Sequence, residues 1–141
     1  MKFIIFLLLA ATGMASPVKM LEASRKLLAN LESLIPNLRE AKSTHELRVR
    51  IEMNAIKRNG DILNACWLAA KQKSDSVAIV ERNRIESIEL TKDISDRLTR
   101  LKEAFEKMDS GTKRSVSNEA LIELQVEVSK YLKELESGDF P

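Results

Sequence analysis

Residues 43–72, STHELRVRIEMNAIKRNGDILNACWLAAKQ, decide the fold because they carry two competing structural signals. The alternating apolar residues from Leu47 to Met53 are typical of a strand, and Asn59-Gly60 is a common hairpin turn. At about 100° per residue, however, the apolar residues on both sides of Gly60 fall on one continuous arc of a helix. A hairpin has no reason to preserve that phase across its turn. The stretch is therefore predicted to be one amphipathic helix, whose apolar arc is about 200° wide and runs from Leu47 and Ala65 at one edge to Val49 and Trp67 at the other; Ile51, Ala55, Ile62, Cys66 and Ala69 lie within it.

The single cysteine and the single tryptophan of the chain stand side by side in this helix, at Cys66 and Trp67. Cys66 lies near the middle of the apolar arc, so we expect its thiol to be buried and unreactive. An unpaired cysteine in a secreted protein can instead form a disulfide between two chains. Trp67 lies at the edge of the arc, where its ring can pack while its indole N–H reaches water.

Three further segments show the same helical spacing of apolar residues. Ser16-Pro17 is a typical helix start, and the pattern that follows is interrupted at Pro36, where a kink or an early stop is expected. The second helix starts at the capping box Ser43-Thr44-His45-Glu46, and Ser74-Asp75-Ser76 separates it from a third. A fourth helix ends before Gly138. Four such helices joined by short breaks predict an all-α, up-down antiparallel four-helix bundle, with a three-helix bundle or an elongated coiled-coil hairpin as the alternatives.

The N-terminus has the three parts of a secretory signal peptide. MKFIIFLLLAATGMASP carries one positive charge at Lys2, an apolar run from Phe3 to Ala11, and small residues up to Ala15. The apolar run is too short to span a bilayer, which takes about 20 residues. We therefore expect residues 1–15 to be a signal peptide and residues 16–141 to be a single secreted helical-bundle domain. A membrane anchor is the alternative for the first segment.

The charges of the chain are nearly balanced, with 23 Lys and Arg residues against 21 Asp and Glu residues. Nucleic acid or an anionic membrane would favour a patch of one sign on its partner, so neither is expected to bind. One cysteine cannot build a disulfide framework. The hydrophobic core alone must therefore hold this small fold together.

The sequence contains no recognisable catalytic or metal-binding motif. His45 is the only histidine, and it lies in a capping turn, where it can neither complete a zinc site with one cysteine nor act as the oriented base of a Ser-His-Asp triad. The few glycines form no phosphate-binding loop. Acidic residues between Asp93 and Lys107 pair with basic residues one turn away, as on a solvated helix face. The protein is therefore not expected to be an enzyme or to hold a cofactor or metal.

Three polar residues stand four positions apart within the apolar arc of the third helix: Asn83, Ser87 and Thr91. Polar residues at core positions usually set the register between helices, at some cost in stability. We therefore single out this triplet as a polar core seam. A polar-lined cavity is the alternative.

A second candidate site is a poorly covered tip where the second and third helices meet. Leu68 and Ile85 point away from the apolar arcs of their helices, and pairing across the Ser74-Asp75 break places Cys66 opposite Asn83. The fourth helix is expected to stop short of this end. The sequence therefore predicts a partner-binding surface formed by Trp67, Leu68, Val77, Ile79 and Ile85.

These features favour a secreted, non-enzymatic helical bundle that acts through protein–protein contacts, either with another extracellular protein or with its own second copy. The alternative is an extracellular carrier of an apolar ligand or lipid, which would open between its helices. A further alternative is a precursor that is processed at the dibasic pair Lys113-Arg114.

Overall fold

The computed structural model describes residues 16–34, 44–108, 115–138 and 140–141. These residues form four helices: α1, Val18–Leu34; α2, Thr44–Gln72; α3, Val77–Glu106; and α4, Ser115–Glu136. No strand occurs in these ranges. The helices pack against one another as an up-down antiparallel four-helix bundle, which confirms the predicted fold class.

The helices begin close to the capping signals in the sequence. The Ser16 hydroxyl accepts a hydrogen bond from the Val18 N–H at 3.2 Å, as expected of an N-cap. α2 begins at Thr44, within the predicted capping box. Ser76 is the N-cap of α3, but its side chain makes no capping hydrogen bond. The turn before α3 is closed by the Ser76 N–H, which donates to the Lys73 carbonyl at 2.8 Å.

α2 and α3 form the most extensive helix pair of the bundle. α1 packs mainly on α4, α4 also packs on α3, and α1 meets α2 over a smaller surface. The core between the helices is mainly apolar. Its largest fully buried side chains are Leu27, Leu31, Met53, Ile56, Leu63, Ile94, Leu98, Leu101, Phe105, Leu121, Leu124 and Tyr131.

The face that α2 turns toward the core differs from the predicted one. Leu47, Ile51 and Ile62, which the apolar pattern places inside, are 38%, 47% and 40% exposed. At about 100° per residue, the centre of the buried face lies roughly 60° from the middle of the predicted arc. The helix across Gly60 is confirmed, whereas its predicted rotation is wrong. The inward apolar residues of α2 are Val49, Met53, Ala55, Ile56, Leu63, Cys66 and Ala70.

Two buried residues explain this rotation. Neither has an apolar side chain, so the apolar pattern does not include them. Glu52 is inside because arginines of α3 bind it, as described below. Gly60 faces α1 so closely that a Cβ atom at this position would lie 2.8 Å from Leu21 Cδ2. The lack of a side chain at Gly60 therefore lets α1 approach α2. Both residues draw the inward face away from Ile51 and Ile62.

Several expectations concern residues outside the described ranges. They are the signal peptide at residues 1–15, the kink at Pro36, the Ser43 cap and the Lys113-Arg114 processing pair. Among the helices α1 to α4, none is long and apolar enough to cross a membrane.

Candidate functional site

The five residues of the predicted tip surface differ in how far they are exposed. Leu68, Val77 and Ile85 are exposed, whereas Trp67 and Ile79 are half-buried. Trp67 packs against the hydrophobic core, and Ile85 lies on the side of α3 opposite to its buried residues. The tip therefore exposes apolar side chains on different faces of two helices.

The indole of Trp67 is placed differently from the expectation that its N–H reaches water. Its Nε1 atom is buried and has no hydrogen-bond partner. The Lys71 ammonium lies 4.8 Å from the ring centroid, within the range of a cation–π contact. Packing against the core and the contact with Lys71 both reduce the ring surface that Trp67 offers to a partner.

Two of the three residues of the predicted polar seam direct their side-chain hydrogen bonds to their own helix. Ser87 and Thr91 are fully buried, and Asn83 is half-buried. The Thr91 hydroxyl donates to the Ser87 carbonyl at 2.7 Å, and Asn83 Nδ2 donates to the Ile79 carbonyl at 2.8 Å. Bonds of this kind satisfy a polar side chain without a partner helix or a ligand. They support a packing role for the seam rather than a polar-lined cavity.

Cys66 lies beside Ser87, about one turn further along α3 than the expected position opposite Asn83, and Tyr131 of α4 is near enough to interact with it electrostatically. Its predicted burial is confirmed. Burial raises the pKa of the Cys66 thiol, Glu86 adds to this rise, and the neighbouring Ser87 hydroxyl opposes it. Burial also raises the pKa of Tyr131. Ser87 Oγ and Tyr131 Oη make no hydrogen bond of good geometry, so two buried hydroxyl groups near Cys66 are left without partners.

A buried carboxylate at the α2–α3 contact is the main feature that the sequence reading missed. The side chain of Glu52 is only 2% exposed. Arg97 Nη1 donates to Glu52 Oε1 at 3.0 Å, and Arg100 Nε donates to Oε2 at 3.0 Å. Arg48 adds a longer contact of 3.4 Å to Oε2. Burial by itself would raise the pKa of Glu52, but the hydrogen bonds from the three arginines outweigh burial and lower it.

The charged network continues along α3 to Asp93. Arg97 Nε donates to Asp93 Oδ2 at 2.8 Å, and Asn59 Nδ2 donates to the same oxygen at 2.6 Å. The bond from Arg97 lowers the pKa of Asp93 more than burial raises it, and Asn59 adds to the effect. The charge pattern of α3 predicts a solvated helix face. It does not show that these side chains extend to α2. Glu52 is a charged residue within the predicted apolar arc of α2, and this was the available signal.

The bundle leaves one side of α2 uncovered. Leu47, Ile51, Ile62 and Ala65 are exposed there, and helical spacing places all four within about 60° of one another. We call these four residues the outer α2 face. They are the part of a wide apolar arc that remains after α1 and α3 have covered the rest.

The chain matches no family model, no curated protein and no solved structure. Within the described ranges, no group of three or more His, Cys, Asp or Glu side chains is arranged to hold a metal ion. The surfaces of the bundle itself are therefore the basis for inferring a function.

Proposed function

We propose that this protein is a secreted, non-enzymatic helical bundle that acts through protein–protein contacts, and that its outer α2 face binds a second copy of the chain. The observation that supports the proposal is the exposure of Leu47, Ile51 and Ile62 on one side of a 29-residue helix. Covering such side chains removes apolar surface from water, which is favourable by about 25 cal/mol per Å².

The outer α2 face is self-complementary in the antiparallel orientation. Ile51 and Ile62 lie at equal distances from a midpoint near residue 56, and the same holds for Leu47 and Ala65. A two-fold axis at this midpoint places Ile51 of one copy opposite Ile62 of the other. A symmetric dimer requires a surface that fits itself in this way.

Two exposed polar residues, Asn54 and Arg58, stand between the apolar pairs. In the antiparallel dimer, the Arg58 guanidinium of one copy lies beside Asn54 of the other and can donate to its amide oxygen. This polar centre sets the register of the contact. The contact is only one helix wide, whereas obligate dimers bury roughly 2,000 Å² or more. We therefore expect a weak dimer whose population depends on concentration.

The other functional hypotheses have less support. A carrier of an apolar ligand needs an interior that opens, but the large core side chains of this bundle are fully buried against one another. A surface cavity of about 550 Å³ between α1 and α4 has charged walls that include Lys19, Glu22 and Lys130. The precursor hypothesis concerns Lys113-Arg114, which lies outside the described ranges.

Sedimentation velocity of the chain over a range of micromolar concentrations tests the dimer. Ile51→Glu or Ile62→Lys alone should abolish self-association, because each places a charge opposite an isoleucine. The double variant Ile51→Glu/Ile62→Lys should restore it, because each glutamate then faces a lysine of the other copy. Within one chain the two positions are about 16 Å apart along the helix, so the rescue cannot arise inside a monomer.

Ile122→Glu is the matched control for these variants. Ile122 is an exposed isoleucine of α4, so its replacement should leave self-association unchanged. Ile85→Glu tests the predicted tip surface in the same way. A monomer at every concentration, or loss of association in Ile85→Glu alone, would contradict the proposed dimer.

A further inference from the structure

A basic groove lies where the first turn of α2 meets the last turns of α3. It is a surface cavity of about 340 Å³. Among its described lining residues, three are cationic and one is acidic: Arg48, Arg100, Lys107 and Glu103. These four residues carry a net charge of +2, although the charges of the whole chain are nearly balanced.

Two of these cations are held in place from inside the bundle. Arg48 and Arg100 contact the buried Glu52 at 3.4 and 3.0 Å, yet 54% and 44% of their side-chain surfaces remain exposed. One carboxylate cannot neutralise three guanidiniums, and the third, Arg97, is shared with Asp93. A guanidinium has five N–H donors in one plane, so an arginine bound along one edge can offer another edge to a ligand. Glu52 therefore orients positive charge without cancelling it.

The start of α2 forms part of the wall of the groove. Thr44, the first residue of the helix, and His45 both line the cavity. The first N–H groups of a helix lack partners within it and carry a partial positive charge, which favours an anion. The C-terminal end of α3 reaches the same groove, and Lys107, its C-cap, offsets the partial negative charge there.

We propose that this groove binds a tetrahedral oxyanion, the phosphate or sulfate group of a small ligand. Arginine binds such a group through two parallel N–H donors, and lysine binds it as a point charge. The Thr44 hydroxyl and the first turn of α2 supply further donors. The site contains none of the residues of the outer α2 face. A test of oxyanion binding is therefore independent of a test of the proposed dimer.

His45 makes the groove directly observable, because it lines the cavity and is the only histidine of the chain. Its ring resonances are followed by NMR while sodium sulfate or sodium phosphate is added to the full chain. Sodium chloride keeps the ionic strength constant, so that screening does not change during the titration. We expect a saturating shift with at least one of the two oxyanions and no shift with chloride alone. The two titrations distinguish a sulfate site from a phosphate site.

Two variants test whether the oxyanion binds in the groove. Arg48→Ala and Lys107→Gln should each weaken it about tenfold, because each removes a charged hydrogen-bond donor. Lys102→Gln is the matched control, since Lys102 is another exposed lysine of α3 and does not line the groove. Thermal unfolding checks that Arg48→Ala still folds, and Lys107→Gln decides the matter if it does not. A shift that rises linearly with salt, appears equally with chloride, or is unchanged in Lys107→Gln would overturn the proposal.

Discussion

At the scale of single residues, Cys66 shows how the surroundings of a thiol define its role. The side chain is buried beside Ser87 and within electrostatic range of Tyr131, and the hydroxyl oxygens of both residues lack hydrogen-bond partners of good geometry. A buried polar group without a partner costs about 1–3 kcal/mol. A new hydrogen-bond donor in this part of the core can therefore stabilise the fold. In a purely apolar site it could not do so.

We expect Cys66→Ser to destabilise the fold less than Cys66→Ala does. Alanine leaves a small cavity and should lower the free energy of unfolding by about 1–2 kcal/mol. A serine hydroxyl fills more of the space and can pair with Ser87 Oγ or Tyr131 Oη, which should offset part of the loss. Urea unfolding of the two variants measures the difference.

Thiol labelling provides the control for this prediction. The native chain should react slowly with a thiol reagent and quickly in urea, because burial protects the thiol and raises the pKa of Cys66. On non-reducing gels it should run as a single chain. Fast labelling of the native chain, or a dimer band that a reductant removes, would contradict the buried position.

At the scale of the helix, α2 has more apolar surface than its neighbours in the bundle cover. One side packs against α1 and α3, and the outer α2 face remains exposed. Gly60 determines part of this arrangement, because it lets Leu21 of α1 approach the backbone of α2. The orientation of α2 therefore depends on a residue that contributes no side chain to the core.

Gly60→Ala tests the importance of this close approach. Alanine favours a helix over glycine by about 1 kcal/mol, but its Cβ would collide with Leu21 Cδ2 unless that side chain moves. We expect the two effects to nearly cancel in the otherwise unchanged chain. In a Leu21→Ala background the collision is absent, so Gly60→Ala should raise the free energy of unfolding by about 1 kcal/mol.

Thermal unfolding of the four chains of this double-mutant cycle gives the coupling between the two positions. Equal effects of Gly60→Ala in both backgrounds would show that the contact between α1 and α2 does not depend on the missing side chain.

At the scale of the whole molecule, the carboxylates at the α2–α3 contact link folding to pH. The pKa values of Glu52 and Asp93 are lowered in the folded chain, so the unfolded chain takes up protons first as the pH falls. Their stabilising effect is complete well above their ordinary pKa values, near 4, and is lost as the pH falls through the lower folded values. The bundle should therefore become less stable in acid.

Glu52→Gln should lower the free energy of unfolding at pH 7 by about 2–3 kcal/mol, because it leaves three guanidiniums around a neutral amide. The expected loss is below the usual range for a broken buried ion pair, since Arg48 and Arg100 partly reach water. The same variant should also lose less stability between pH 5 and pH 3 than the unmodified chain. Urea unfolding across this pH range measures both effects.

Glu81→Gln is the control for the acid experiment. The pKa of Glu81 is also lowered, by a hydrogen bond from Arg84, but this pair lies at the surface. Surface ion pairs contribute little to stability, so the variant should unfold almost as the unmodified chain does. An equal acid loss in Glu52→Gln and in the unmodified chain would show that Glu52 is not linked to folding.

Local patterns in the sequence were sufficient to predict the fold class and several of the helix boundaries. The Ser16 cap, the start of α2 at Thr44 and the unbroken helix through Gly60 all follow from residues within one or two turns of each other. The burial of Cys66 also follows from this local spacing, although Cys66 lies near the edge of the inward face rather than at its centre.

The candidate surfaces could not be predicted from local patterns in the sequence. The apolar pattern places the outer α2 face in the core, and the charge pattern from Asp93 to Lys107 predicts a solvated helix face. The first error arises because a wide apolar arc allows several rotations of α2 that bury similar numbers of apolar residues, and the second because Arg97 and Arg100 extend from α3 to Glu52 of α2. The choice among these rotations depends on Gly60 meeting Leu21 and on Arg97 and Arg100 meeting Glu52.

The sequence by itself determined that this chain forms four amphipathic helices and that they associate as an all-α bundle, because helical periodicity and capping act over a few residues. The tertiary structure alone decided which side of α2 is buried, which arginines surround Glu52, and where apolar and basic surfaces remain open. These outcomes depend on contacts between residues 39 to 48 positions apart, such as Gly60 with Leu21 and Arg100 with Glu52. Such contacts exist only once the helices have packed, so no local pattern records them.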